Sequence, residues 1–496
     1  MTQTLSDSVS VKTFLSILKN PLLRSVIRFS GKNCAKFARS YLEVALDDYA
    51  GNQDPQHSLV RSLFSGVFGL TLDVGCEAFG VNRRQARDAM MTSYFKKGLV
   101  NVLKGIGRYG ITRPQRLAAP FLVVWNYTNN CNLKCRHCYQ SAEKPATDEL
   151  STEKRLEIID QLDQASVSSI AFSGGEPLMR RDFFKVAEYA ADKGMYVSVA
   201  TNGTMLTKRV VEKLKGVGVN YVEVSLDGAR RETHEAFRGI TGCFDRTLEG
   251  IRNSVDGGLY TCIATVAVRN NLYEIPDIVE LGKSLDVKRI IVFNFIPTGR
   301  GENIGNLDPS PTERERLLSY LYNELVKGDI EVLCTAPQFS RVCLQQSLLD
   351  KRDVLSPTHF AAMNFQGQTK QLADFLGGCG AGRLYCAIQP NGLVTPCVFM
   401  PIIVGDLRKE SLQDIWLSSK VMNDLRDREK LKGRCGDCFY KYVCGGCRAR
   451  AYAYCRDYLA PDPGCIRELE EPSASLAQGP EAEHAQISTI MEGRRS

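Results

Sequence analysis

The sequence lacks the features that would carry it into or across a membrane. No run of about 18 or more uncharged apolar residues occurs in its 496 residues, whereas a spanning helix needs about 20. Met1 to Ser10 is polar and shows no secretory signal pattern. The expected location is therefore cytoplasmic, with at most peripheral attachment to a membrane. Net charge is also small, +7, but unevenly placed. Residues 1–118 carry 17 Lys or Arg against 8 Asp or Glu, and the remainder sums to −2. On charge alone that basic segment is a solvated helical surface or one that meets an anionic membrane surface, an acidic partner or nucleic acid; of these partners, nucleic acid is not expected. Cysteine, by contrast, is abundant at 18 residues. Without an export signal, so many cysteines point away from disulfides and toward metal sites in a reducing compartment.

A chain of this length exceeds one ordinary core, so about two or three domains are expected. Residues 11–110 read as helical. Val11–Phe29 holds apolar residues at helical spacing, and Ser58–Leu72 and Arg84–Leu103 continue in that style. From Pro120 the pattern alternates. Strands are expected at Phe121–Tyr127, Ser168–Ser173, Tyr196–Thr201, Tyr221–Leu226, Tyr260–Val268 and Ile290–Ile296. Helices are expected between them at Thr152–Gln164, Arg181–Lys193, Thr207–Lys215, Phe244–Asp256 and Leu272–Leu285. Six βα units in series call for an α/β fold with a parallel sheet, either curled into a partial barrel or open and doubly wound. The expected division is 1–116 helical, 117–300 βα core, 301–378 connecting, 379–467 cysteine-dense, and a disordered tail at 468–496.

The most specific stretch is Cys131-x3-Cys135-x2-Cys138-Tyr139, which directly follows the first strand. Three thiolates on one loop hold three corners of a cubane iron–sulfur cluster and leave the fourth iron open. Structural zinc would require a closed set of four ligands. This motif resembles the signature of the radical S-adenosylmethionine (SAM) enzymes. The resemblance implies a partial (β/α)6 TIM-like barrel with SAM across the carboxyl ends of its strands. It also implies reductive cleavage of SAM to methionine and a 5′-deoxyadenosyl radical.

The remaining motifs fall at strand ends, as that fold requires. Ser173-Gly174-Gly175-Glu176-Pro177 closes the second strand, 36 residues from Cys138 to Gly174. Its glycines let backbone approach a ligand, and the resemblance places this stretch against the SAM amino group. Asn202 ends the third strand, and Ser225 and Asp227 end the fourth. The resemblance implies that Ser225 lies near the SAM ribose or carboxylate, that Arg238 pairs with the carboxylate, that Val266 and Val268 line the adenine side, and that Tyr139 packs on adenine. A guanidinium suits a carboxylate because it can bond bidentately. His137 and His234 receive no role.

The C-terminal cysteines are Cys379-x6-Cys386-x10-Cys397, then Cys435-x2-Cys438-x5-Cys444-x2-Cys447, then Cys455 and Cys465. They resemble the SPASM extension of radical SAM enzymes, which binds two auxiliary [4Fe–4S] clusters. By that resemblance Cys379, Cys386, Cys397 and Cys447 hold one cluster and Cys435, Cys438, Cys444 and Cys465 the other, with Cys455 a competitor for the last place. Paired C-x2-C motifs also suit zinc. Cys34, Cys76, Cys243, Cys262, Cys334 and Cys343 read as small core residues.

The resemblance spans residues 120–466. It implies an oxidoreductase or maturase that modifies a tetrapyrrole, or a peptide or protein side chain, with electrons from a flavodoxin or ferredoxin type donor. The segment Cys444–Tyr452 with Pro461–Cys465 looks most like the tetrapyrrole-modifying group, where Arg448 and Arg450 either meet substrate carboxylates or pack a helix. A lipid-modifying radical enzyme and a non-enzymatic iron–sulfur carrier or assembly factor are the alternatives.

Overall fold

In a parallel strand buried on both faces, successive residues serve two different layers. Strand β1, Leu122–Thr128, shows this clearly. Val123, Trp125 and Tyr127 enter the main core under the helices, while Leu122 and Val124 face the opposite side. The computed structural model describes residues 16–31, 40–51, 59–79, 81–350 and 373–469.

The strands β2 (Ser169–Gly174), β3 (Tyr196–Thr201), β4 (Val219–Ser225), β5 (Tyr260–Ala267) and β6 (Arg289–Asn294) follow in order beside β1, all parallel. Helices such as Thr152–Gln164 and Cys243–Asp256 intervene. The stretch 301–378 does more than connect. It supplies the helix Pro311–Lys327 and a seventh parallel strand, β7 (Glu331–Cys334), paired with β6. At the other edge β8 (Tyr385–Ile388) pairs in parallel with β1, and β9 (Leu393–Thr395) and β10 (Gly405–Asp406) extend the sheet antiparallel. One ten-stranded sheet therefore joins the βα core to the cysteine-dense region. Its inward face curls around a cavity of about 540 Å³ that reaches β7.

The N-terminal module consists of Pro21–Ser30, Tyr41–Ala50, Leu59–Phe79, Arg83–Met90 and Ser93–Tyr109. Pro21 starts its helix because Asn20 accepts hydrogen bonds from the amides of Leu22 and Leu23. The expected helix Val11–Phe29 is thus interrupted at Asn20, and its residues 11–15 lie outside the described residues. The expected Arg84–Leu103 stretch divides at Met91-Thr92. Leu18, Ile27, Leu46, Phe68, Val100 and Ile106 share the module's core.

The module closes the N-terminal end of the strands. Tyr94 packs edge-on against Tyr196 at 5.0 Å. Asn101 Nδ2 donates to the Ala119 carbonyl, and Asn101 Oδ1 accepts from the Ala119 amide, both at 2.9 Å. Lys97 is ion-paired with Asp163. Among the described residues no helix is long and apolar enough to cross a membrane.

Candidate active site

The loop carrying Cys131, Cys135 and Cys138 is pinned by two other segments through backbone hydrogen bonds. The Lys134 amide donates to the Arg238 carbonyl (3.1 Å) and the Arg136 amide to that of Phe237 (2.9 Å). From the far side the Arg300 amide donates to the Cys138 carbonyl at 2.9 Å. The Arg300 guanidinium adds bonds to the carbonyls of Cys135 (2.8 Å) and Ala142 (3.0 Å). Gly299 sits at φ +59°, and a β-carbon there would lie 2.4 Å from the Tyr139 carbonyl oxygen. Neither Gly299 nor Arg300 was singled out in the sequence, because a lone Gly-Arg-Gly after a strand carries no signal without the loop it grips.

All three cysteines border the central cavity, together with Gly174, Gly175, Asn202, Ser225, Arg238 and Tyr139. Gly174 has φ +112°, and a β-carbon on Gly175 would sit 2.2 Å from the Asn130 carbonyl oxygen. Both glycines are required for β2 to turn away beneath the cysteine loop while presenting bare backbone to the cavity. Tyr139 donates from its hydroxyl to Asn126 Oδ1 (2.8 Å), lies 3.1 Å from Ser173 Oγ, and meets the Phe399 ring at 5.0 Å. It therefore ties β1 and β2 to the C-terminal region. Asn202 donates to Asn132 Oδ1 at 2.7 Å, which fixes its side chain toward the cysteine loop. Burial pushes the Cys131 thiol up to about 12 and raises that of Cys135. A deprotonated sulfur there requires a nearby cation, as a metal centre would provide. The donor set and the bare-backbone wall fit an open-iron cluster with a small amino-acid-like ligand beside it.

Four expected residues do not face the cavity in the role foreseen. Glu176 is fully buried behind Gly175, where its oxygens accept from Thr201 Oγ1 (2.9 Å) and from the amides of Asn202 (2.8 Å) and Leu178 (3.3 Å). It clamps the ends of β2 and β3, and burial outweighs these donors to raise its carboxyl to about 7. Pro177 begins a buried turn and is structural. Val268 lies just past the end of β5 and packs with Phe237, Phe295 and Ile304, while Val266, still in the strand, borders the cavity. Asp227 is fully buried and bonded to Arg238, Nη2 to Oδ2 at 2.6 Å. Arg238 does line the cavity, but as half of this ion pair, with Nη1 3.6 Å from Cys135 Sγ. His137 stacks on Phe237 at 4.2 Å, and burial lowers it to about 3. His234 accepts from the Asp227 amide.

The cavity continues to Cys379, Cys397 and Cys447. Cys386 does not join them. It pairs with Val123 across β8–β1, on the core-facing side, and has no exposed surface. Its neighbour Tyr385 takes the cavity side and donates its hydroxyl to Cys397 Sγ at 2.9 Å. The spacing that suggested Cys386 runs along a strand, where one residue's shift reverses the face. A second, smaller cavity is bordered by Cys435, Cys438, Cys444 and Cys465, with Arg341, Arg434, Lys441 and Arg467 on its wall. Cys455 is exposed at a helix end and borders neither cavity.

Among the described residues no three of His, Cys, Asp and Glu converge on a single ion. The cysteines instead ring cavities, as donors to separate corners of a multi-iron cluster do. Cys76, Cys243, Cys262, Cys334 and Cys343 are buried, as expected, and Cys34 lies outside the described residues.

Arg448 and Arg450 take the packing alternative in their placement. Arg448 donates to the carbonyls of Gly446, Tyr458 and Ala460. Arg450 is ion-paired with Asp308 (2.8 Å) and Asp462 (3.1 Å). Both are buried and bolt the helix Arg448–Cys455 into place.

A curled parallel sheet with a three-thiol loop at the strands' carboxyl ends and a cysteine-rich annex defines an iron–sulfur radical enzyme class. The radical SAM superfamily model matches residues 125–282, and the SPASM iron–sulfur cluster-binding domain model matches 379–439. An AdoMet-dependent heme synthase of Methanosarcina barkeri is 39% identical over 350 residues, 70% of this chain and 97% of that protein. The mycofactocin maturase MftC of Mycobacterium tuberculosis is 31% identical over 383 residues, 74% of this chain and 89% of that one. In fold the chain is similar to Streptococcus suis SuiB bound to its precursor peptide SuiA, with TM-score 0.60, 15% identity, and 85% and 91% of the two chains covered. The chain belongs to the radical SAM superfamily, as an enzyme with a SPASM domain.

Proposed function

We propose that this enzyme modifies a tetrapyrrole. The observation that carries the reading is the 39% identity to a heme synthase across nearly that protein's whole length, against 31% to a peptide maturase. When bound, SAM and its cluster would supply the radical chemistry of hydrogen abstraction. The chain's own residues supply placement and exclusion of water. Cys131, Cys135 and Cys138 would hold the open-iron cluster, and the Gly174-Gly175 backbone, Asn202, Ser225 and Tyr139, which line the same cavity, would border SAM. Arg238 is held by Asp227, so it contributes charge balance beside Cys135 more than a free fork for a carboxylate. The Tyr139–Phe399 contact joins the SAM wall to the C-terminal region, so substrate sits between two iron–sulfur regions.

On this reading Cys379, Cys397 and Cys447 ligate one auxiliary cluster, and Cys435, Cys438, Cys444 and Cys465 the other. The described part of the N-terminal module closes the barrel floor, and its basic residues would meet an anionic membrane surface. A flavodoxin or ferredoxin type donor delivers the electrons one at a time.

The test is anaerobic 5′-deoxyadenosine release by reconstituted enzyme offered carboxylated tetrapyrroles and, in parallel, ribosomally made peptides. Release driven by a tetrapyrrole supports the proposal. Release driven only by peptide would replace it with the maturase reading.

A further inference from the structure

Buried guanidinium groups normally sit opposite carboxylates, because an uncompensated charge away from water costs several kcal/mol. Arg341, Arg314 and Arg450 follow this rule, with Glu315, Asp308 and Asp462 as partners. Arg428 does not. It is 1% exposed, and its only hydrogen bond among the described residues runs from Nη2 to the Cys379 carbonyl at 3.1 Å. Nε and Nη1 are buried and have no acceptor.

The position of this group is specific. Its planar end lies against Gly445, where a β-carbon would come within 2.6 Å of Nη1. It also lies beside Gly378, where a β-carbon would be 3.0 Å from Nη2. Gly378 precedes Cys379, of the first cysteine group, and Gly445 follows Cys444, of the second. The two groups touch directly through the Cys379 amide, which donates to the Cys444 carbonyl at 3.2 Å. The groups around Arg428 include the sulfurs of Cys379, Cys444 and Cys435 and a second guanidinium, Arg448. Arg448 itself places Nη2 3.6 Å from Cys435 Sγ.

We infer that Arg428 is a positioning residue shared by the two auxiliary iron–sulfur sites, the cation whose counter-charge is the pair of thiolate-ligated clusters. The inference rests on the reading that both cysteine groups hold clusters. A fixed positive charge favours the more negative, reduced form of a cluster. N–H donors aimed at thiolate or sulfide sulfur act in the same direction. One guanidinium reaching both sites therefore raises both reduction potentials together.

The experiment uses the reconstituted full chain with Arg428→Gln and Arg428→Lys, in a Cys131/Cys135/Cys138 triple-alanine background that leaves only the auxiliary sites. Iron and zinc are quantified first, then midpoint potentials are read by EPR-monitored titration. R428Q is expected to move both auxiliary signals to lower potential, with R428K between it and the parent. If R428Q binds less metal, iron is expected to be lost from both sites together, about eight irons rather than about four. R428K then carries the potential measurement. A shift or loss confined to one site, or unchanged potentials in a fully loaded variant, overturns the inference. Zinc instead of iron in the parent overturns the cluster reading itself, and this is seen before any variant is compared.

Discussion

Arg238 and Asp227 form a buried ion pair, Nη2 to Oδ2 at 2.6 Å, at the carboxyl end of β4. The Asp227 Oδ1 atom accepts from the Val266 amide at 2.8 Å, so β5 orients the carboxylate that orients the arginine beside Cys135. The pair explains why Arg238 reaches the cavity wall without being free for a ligand's carboxylate.

Removing Asp227 leaves that guanidinium buried without compensation. Asp227→Ala is expected to cost about 3–5 kcal/mol of stability, and Asp227→Asn less, because it keeps one acceptor. Burial alone would raise the Asp227 carboxyl, but Arg238 first, then other partners, hold it below its ordinary value. Its contribution is therefore present above the ordinary carboxylate range and lost as pH falls through the depressed value. Anaerobic thermal unfolding of parent and variants from pH 7 down to about pH 3 checks this; a loss below about 1 kcal/mol at pH 7 would refute the role.

Glu223 points from β4 into the cavity, and burial raises its carboxyl to about 7, with Arg289 opposing. A raised carboxyl stabilises the fold most at low pH and loses that contribution as pH climbs through about 7. Glu223→Gln, which cannot ionise, is expected to gain roughly 1–2 kcal/mol relative to the parent between pH 5.5 and 8. Denaturant midpoints at the two pH values give the difference. A constant offset would mean that Glu223 is charged throughout.

Cys386 and Cys397 occupy opposite faces beside β1, and iron content separates them. Cys386→Ala is expected to keep the parent's iron and lose about 1 kcal/mol of core stability. Cys397→Ala is expected to lose about four irons, one cubane. Iron loss in the Cys386 variant would restore it to the ligand set.

Gly299 packs closely against the three-cysteine loop. Gly299→Ala forces a β-carbon at φ +59° toward the carbonyls of Tyr139 and Cys138. Backbone strain and overlap cost about 1–3 kcal/mol each, and the loop is the part that can yield. Loss of the SAM-responsive EPR signal, with both auxiliary signals intact, is the expected outcome. Uniform loss of all three would point to general unfolding.

Local signals in the chain were sufficient for much of this architecture. The strand Tyr196–Thr201 and the helix Thr152–Gln164 appear with the boundaries expected, because a β-branched apolar run and a Ser-capped amphipathic stretch each specify one local geometry. The three-cysteine motif and the glycine pair also came together on one cavity wall, since both follow strands that the parallel sheet aligns. β7 was not legible, as four residues in a long mixed stretch give no period to read. The pairing of β8 with β1 was not legible either, because nothing local links residues more than 250 positions apart.

Composition, spacing and periodicity thus determined the residue chemistry, namely thiols for iron–sulfur clusters, bare backbone for close approach, and βα repeats for a parallel sheet. Tertiary structure alone decided which face each side chain took and which charge it met. It turned Cys386 into the core and Tyr385 toward Cys397, matched Arg238 with Asp227 and Arg450 with Asp462, and left Arg428 between two cysteine groups. The physical reason is that ligation and ion pairing depend on distances of a few ångströms between residues remote in sequence. Only the packing of one sheet against its helices sets those distances.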